Sequence, residues 1–352
     1  MSRLSPFRTG ALLSLVFLVA CAFITYGQRG GAQTSPTRGG GVQPSPAQRG
    51  ETGRGPAMPG GRGRGQQPPQ KKQEDDLDPN NGMIVAYVTV TDKEHRSVPG
   101  LKKENFQVTE NNVEQSIELF SVESGPVSVG FVLGGPPPES RSVPLAFLKA
   151  TPWTTNEFFL INDNGHPPGG MVIQSFTTDT LKATTIYPQG GVSMDSIYMG
   201  LDYLKEAANH RKLMILVGGT LTGDGATPTG GGMNPDYVER VASKQAVQVY
   251  SIVTSNDGGD ITDDDSTSNI SPLTGGREYL SFPTSFGLES IVQQIARGIA
   301  VQYEIGYRST NPANDGKWRK IKVNVANIPE TVGKVSVWTK SGYYADKEKK
   351  TK

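Results

Sequence analysis

The run Val127-Ser128-Val129-Gly130-Phe131-Val132-Leu133, closed by Gly134-Gly135-Pro136-Pro137-Pro138, constrains the fold more than any other stretch of the chain. A run this apolar has no side to offer water, so it predicts a strand covered on both faces inside a parallel sheet. Open α/β sheets bind ligands at the carboxyl ends of such strands, which points to residues 134–140. That loop holds no Asp, His, Cys or Lys, and its prolines lack the backbone N–H that could hold an anion. The place where chemistry is expected is bare of it.

Two similar runs follow: 213–217, ending in Gly218-Gly219, and 247–253. Residues 158–161 and 171–176 predict a hairpin at the sheet edge. Helices are predicted over 193–210, with Ile197, Leu201 and Leu204 on one face and Ser193 or Asp195 at its start, then over 236–244 and 285–301. The last carries the apolar stripe Leu288, Ile291, Val292, Ile295 and Ile299. Strands alternating with helices give an α/β class with a mainly parallel sheet. Both flanks are β in character. Residues 83–90 alternate, 101–106 are short helix or irregular, and 107–110 with 115–120 read as a hairpin about Asn111-Asn112. Residues 302–307, 319–325 and 334–338 supply strands at the other end. Neither flank alone has enough strands for a stable sheet, so the two together predict one small β-sandwich.

Composition excludes several functions. With 35 Lys and Arg against 34 Asp and Glu in 352 residues, the overall charge gives no case for nucleic acid. The single cysteine, Cys21, lies in the N-terminal apolar segment, which leaves the rest of the chain without thiol chemistry or a cysteine-based zinc site. His95, His166 and His210 are far apart in sequence and read as surface residues, which disfavours histidine-dependent catalysis. Arg3 and Arg8 before the apolar stretch 11–26 form a targeting signal. Cleavage before Gln28 and acylation of Cys21 within Leu18-Val19-Ala20-Cys21 both remain open, the latter being the sole expected membrane attachment. Residues 28–78, rich in Gly, Pro and Arg, form a cationic spacer with too little apolar surface to fold. The expected organisation is a signal over 1–27, the spacer, a β flank over 79–125, an α/β domain over 126–300, a second β flank over 301–346 and a basic tail over 347–352.

Other motifs are less specific. Asp257, Asp260, Asp263, Asp264 and Asp265 make an acidic loop that could hold Ca²⁺, although the EF-hand pattern and its distal Glu are missing. Gly218-Gly219 and Gly230-Gly231-Gly232 lack the Lys-Ser/Thr of a phosphate loop. Asp163, Glu139, Asp179 and Glu157 show no acid/base pairing pattern, and Trp153, Trp318 and Trp338 read as packing residues.

Phrases spread over residues 83–345 carry a resemblance: Val88-Thr89-Val90-Thr91-Asp92-Lys93, Val98-Pro99-Gly100-Leu101, Gly190-Gly191, Asp195-Ser196-Ile197-Tyr198, Leu273-Thr274-Gly275-Gly276-Arg277, Gln302-Tyr303 and Ser341-Gly342-Tyr343-Tyr344-Ala345. In this order they resemble the von Willebrand factor A-related domain proteins of acidobacteria. The resemblance implies a Rossmann-like domain whose relatives hold Mg²⁺ through Asp-x-Ser-x-Ser, a Thr and a further Asp, oxygen ligands suited to a hard cation. Those five positions fall here on Gly134, Pro136, Pro138, Val192 and Gly218, none with a side-chain oxygen. What it implies is therefore an exported, non-enzymatic interaction or envelope scaffold module with a degenerate metal site and no cofactor. Its partner, a protein or envelope component, would meet the loops carrying Gly135, Glu139, Ser140, Gly191, Thr220 and Asp224, with Asp195 capping a helix. A calcium-stabilised adhesin using the 257–265 loop and an envelope hydrolase are the alternatives.

Overall fold

A computed structural model describes residues 82–134, 140–163, 170–184, 192–218, 233–254, 270–281, 285–330 and 332–347. Its first strands are β1 (Met83–Thr91), β2 (Phe106–Glu110), β3 (Val113–Gln115) and β4 (Ile117–Glu123). The α/β part follows as β5 (Val127–Leu133), α1 (Val143–Ala150), β6 (Glu157–Asn162), β7 (Met171–Thr177), α2 (Met194–Tyr203), β8 (Arg211–Gly218), α3 (Pro235–Lys244) and β9 (Val247–Thr254). It ends with α4 (Ile270–Thr274), β10 (Glu278–Ser281) and α5 (Ser285–Gly298), after which come β11 (Gln302–Arg308), β12 (Trp318–Val325), β13 (Ser336–Trp338) and β14 (Gly342–Tyr344).

The central sheet has the order β10-β9-β8-β5-β6-β7 and is parallel except for β7, which runs antiparallel to β6 at the edge. This is the mixed α/β class expected from the sequence. Every residue of β5 is buried, as the unbroken apolar run requires. Alternation along β5 sends Val127, Val129, Phe131 and Leu133 into a core with Phe147 of α1 and Leu288, Val292 and Ile295 of α5. Val132 points to the opposite core, shared with Ile197 and Leu201 of α2 and Val238 and Ala242 of α3. Gly130 faces this second core because Phe159 needs the space: a Cβ there would stand 2.3 Å from the Phe159 ring. That ring in turn packs edge-on against Phe176 and Tyr203.

The flanks build two antiparallel four-stranded sheets, β13-β1-β11-β4 and β14-β12-β2-β3. Both sheets feed one core, in which Val88, Val90, Tyr303 and Tyr307 meet Phe106, Val108, Ile321 and Val323. Glu110 is buried inside it and accepts hydrogen bonds from Tyr307 (3.0 Å), Tyr343 (3.0 Å) and Ser309 (2.6 Å). Asn111 and Asn112 take φ values of 49° and 69°, the left-handed conformation of a tight hairpin turn. Sequence alternation runs 115–120 together, but the chain leaves one sheet after Gln115 and enters the other at Ile117, which no periodicity can register. The helix expected over 193–210 stops at Tyr203 and tightens into a 3₁₀ turn, because residues 207–210 must turn into β8. Helix α5 stops at Gly298, short of the expected 301. Elements α1, α4, β10 and β14 have no counterpart in the sequence reading.

The two parts meet through polar groups. Arg211, 2% exposed, donates to the carbonyls of Gly125 (2.6 Å) and Ile299 and to Gln302 Oε1 (2.7 Å). Gln302 Nε2 continues to Thr89 Oγ1 (2.7 Å) and Gln248 Oε1 (2.6 Å), and Gln248 reaches the Gly275 carbonyl. The Thr274-Gly275-Gly276-Arg277 phrase is explained here. Gly275 has φ +84° and a Cβ on it would lie 2.6 Å from Lys340 N, while one on Gly276 would strike the Val249 carbonyl oxygen. Arg277 then lies over the rings of Tyr279 and Trp338. Buried Lys340 donates to the Val85 carbonyl at 3.2 Å.

Two outcomes follow from this packing. Gly130→Ala forces a methyl into the Phe159 ring and is expected to lower unfolding stability by about 1–3 kcal/mol, read from urea denaturation. Lys340 is held by burial at about 8, below its ordinary value. Above that pH the unfolded chain keeps a proton that the folded chain has released, so stability rises with pH, by roughly 1 kcal/mol per unit between about pH 8 and 10. Lys340→Met removes that rise in the urea midpoint.

Candidate functional site

Strand order reverses between β5 and β8, so the topological switch point lies where Leu133 and Gly218 end. In such sheets a crevice opens there. Here the ladder runs one residue past β5: Gly134 N donates to the Val217 carbonyl of β8 at 2.7 Å. A Cβ on Gly218 would lie 3.1 Å from the Gly134 carbonyl carbon. Glycine at both positions lets the backbones close on each other, and a side chain at Gly218 would have to push them apart.

Beside them stands Asp163, just past β6, with its N–H donating to the Leu133 carbonyl at 3.1 Å. Asp163 is fully buried. Its Oδ2 accepts from Ser193 N (2.6 Å), from Ser193 Oγ (2.6 Å) and from Ser196 Oγ. Ser193 is the N-cap of α2, and its Oγ also accepts from Ser196 N at 3.3 Å. A carboxylate with three donors at the positive end of a helix is a well-satisfied buried charge. It occupies the place at α2 that would otherwise attract an external anion. With its Oδ2 fully engaged, Asp163 is a poor base or nucleophile.

Three of the five positions that the resemblance assigned to metal ligands are described, and the fold brings them to this one end. Gly134 and Gly218 touch, and Val192, 2% exposed, precedes the N-cap and packs into the core under α2. Asp195 does not cap the helix as expected; Ser193 does, because its β-region backbone aims Oγ at the first turn. Asp195 instead accepts from Met233 N at 3.0 Å, pinning the start of α3. Ser140 is buried in the turn leading into α1. Gly135, Pro136, Pro138, Glu139, Gly191, Thr220, Asp224, Asp257, Asp260, Asp263, Asp264 and Asp265 lie outside the described residues, as do residues 1–81.

Two polar atoms at this edge are buried without a hydrogen-bond partner among the described residues: Asn162 Oδ1 at the end of β6 and Thr254 Oγ1 at the end of β9. Unpaired buried acceptors and hydroxyls cost free energy and call for a partner. Sequence reasoning missed Asp163 as a site residue. The only signal for it is a strand-terminal Asp together with Ser-x-x-Ser at a helix start 30 residues away, too weak to select.

No family model and no curated protein matches the chain. Its fold is similar to solved structures at low identity. The PilB minor pilin from Streptococcus sanguinis is 14% identical over 51% of this chain, with a TM-score of 0.36. The vWF domain of the type V pili tip protein Mfa5 from Porphyromonas gingivalis is 12% identical over 50% of this chain and 97% of that one, with a TM-score of 0.34. BatB from Bacteroides thetaiotaomicron is 12% identical over 50% of this chain and 98% of its own length, at a TM-score of 0.34. The chain spans 62% of the pilin's length.

Removing the internal carboxylate tests its role. Asp163→Ala leaves the Ser193 N–H without its acceptor and takes the carboxylate from the Ser193 and Ser196 hydroxyls, which keep only Ser196 Oγ and the Ser193 carbonyl; it is expected to cost about 2–4 kcal/mol of unfolding free energy in urea. Ser193→Ala removes a cap as well as a donor and is expected to cost about 1–2 kcal/mol.

Proposed function

We propose that the protein is an exported, non-enzymatic interaction module of von Willebrand A type, whose carboxyl-edge loops bind a protein or envelope component without the Mg²⁺ ion its relatives use. The observation that carries this reading is the bare switch point, where Gly134 and Gly218 end β5 and β8 in backbone contact and offer no side chain to a metal or a substrate. On this reading recognition falls to the loops at that end, 134–140, 189–192 and 218–232, since binding residues concentrate on loops. Apolar Val192 and the two glycines stand where the resemblance places metal ligands, and oxygen-seeking Mg²⁺ has no use for them.

Export rests on the N-terminal sequence: Arg3 and Arg8 ahead of the apolar stretch 11–26. Among the described residues no helix is long and apolar enough to cross a membrane.

A tagged chain incubated with the native envelope fraction tests the reading. It is expected to retain the same partner whether Mg²⁺ is supplied or omitted, and to lose it when residues 219–232 are replaced by a Gly/Ser linker of equal length. Capture that requires Mg²⁺, or that survives the loop replacement, overturns the proposal.

A further inference from the structure

At the opposite ends of the central strands, the fold assembles a cluster that none of the motifs foreshadows. His210 stands just before β8, Glu123 ends β4 and Glu304 lies in β11. One ligand atom from each, the imidazole nitrogen and a carboxylate oxygen from either glutamate, lies within 4.8 Å of the others. His210 Nε2 is 3.0 Å from Glu304 Oε1.

Each side chain is held in place by its own strand or turn. Glu304 pairs in register with Tyr87 on one side and Ser121 on the other, and Glu123 lies two residues beyond Ser121 on the same sheet face. Ser121 Oγ lies 2.6 Å from Glu123 Oε1 and 3.1 Å from Glu304 Oε2. The turn bearing His210 is tied down by Asn209 N donating to Ser128 Oγ at 3.0 Å and Ala208 N donating to Glu157 at 2.6 Å. The imidazole is 66% exposed and the Glu304 side chain 8%, with Glu123 half-buried, so solvent reaches the cluster past His210 and Glu123.

Among the described residues, the hydrogen bonds within the cluster do not match its two carboxylates with two cations. One hydroxyl proton on Ser121 serves two carboxylates, and one imidazole faces them. The Arg211 guanidinium feels the charge of Glu123 but gives its hydrogen bonds to the Gly125 and Ile299 carbonyls and to Gln302. A cation is what this geometry lacks.

We propose that Glu123, His210 and Glu304 bind a divalent transition ion of the zinc class through His210 Nε2 and one oxygen of each carboxylate, with solvent in a fourth position. One imidazole with two carboxylates is a borderline donor set that suits zinc over the harder Mg²⁺ or Ca²⁺. Zinc bonds of about 2.0–2.1 Å place tetrahedral ligands about 3.3 Å apart, close to the observed histidine–carboxylate spacing. Ser121 supplies the outer-shell hydrogen bonds that orient both carboxylates. The ion would link β4 and β11 of the flank sheet to the entrance of β8, so it acts as a clasp between the two parts of the fold. This proposal stands independently of any binding at the carboxyl edge.

The full chain, stripped with a chelator and dialysed at about pH 7.5, is titrated with zinc chloride by calorimetry and followed by thermal unfolding. One zinc per chain at micromolar Kd or tighter is expected, with a rise in Tm, and with a tenfold excess of Mg²⁺ or Ca²⁺ failing to compete. His210→Ala alters an exposed side chain and Glu304→Gln keeps its shape, so both fold. Each is expected to weaken zinc binding at least tenfold and abolish the Tm rise, and Ser121→Ala to weaken it to a lesser degree. No saturable zinc binding means that the trio is only a histidine–carboxylate ion pair and overturns the proposal. Binding undiminished by His210→Ala places the ion elsewhere and overturns it equally.

Discussion

The buried guanidinium of Arg211 is the interaction on which the arrangement of the two parts depends. The chain passes between the flank sheets and the α/β part twice, at the Gly125 step before β5 and at the Ile299 step after α5, and Arg211 binds the carbonyl at both. It does so from the first residue of β8, at the centre of the parallel sheet. Burial holds its pKa down, which measures how strongly the site resists a charge. The carbonyls, Gln302 and the Trp153 ring at 5.1 Å offset that resistance. Few apolar arrangements could tie two crossings and a central strand to one point, since apolar contact has no direction. Here specificity of docking comes from hydrogen bonds, and stability from the three apolar cores around them.

This division gives the molecule two polar ends with different characters. At the carboxyl ends of the strands, the internal charge of Asp163 is answered by the N-terminus of α2 and two serines, and the strands at the switch point end in glycines in backbone contact. At the amino ends, charge is left over on Glu123 and Glu304 beside an exposed imidazole. The first end is electrostatically complete within the described residues and binds, if it binds, by shape and hydrogen bonding. The second is incomplete. The donor set of the amino end thus stands where strands begin, away from the end at which such sheets usually bind.

The legible part of this fold is the part whose order is local. Continuous apolar runs identified β5, β8 and β9 because a strand covered on both faces has no polar position to interrupt it. The flank strands were visible by alternation, and their union by the impossibility of either set standing alone. Helix α1 was hidden because Pro144 and its position after a proline-rich loop read as loop sequence, though Pro is well placed in a first helical turn. Three-residue β14 and the four residues of β10 are too short for a period to show. Both sites were invisible for a stronger reason. Asp163 meets Ser193 across 30 residues and His210 meets Glu304 across 94, and nothing in composition or spacing encodes which distant polar residues will share a face.

Strand register is what turns those distances into contacts, and β11 shows how much depends on it. Odd-numbered Tyr303, Ile305 and Tyr307 enter the flank core, where the Tyr303 hydroxyl donates to the Val98 carbonyl at 2.6 Å. Even-numbered Gln302 and Glu304 turn to the α/β part, the first to Arg211 and the second to His210. A slip of one residue would bury both polar side chains in the apolar core and set Tyr303 against Arg211. A slip of two would keep the faces but present Glu304 to Arg211 and leave His210 opposite Gly306. That second error is the cheaper one in apolar terms, since the tyrosines and isoleucine would still face inward. What opposes it is steric as well as polar: Gly306 sits where a Cβ would strike Leu119 at 2.9 Å, so only glycine fits at that point of the sheet. One glycine in β11 therefore helps fix which side chain meets Arg211, which meets His210, and whether the amino-end cluster exists at all.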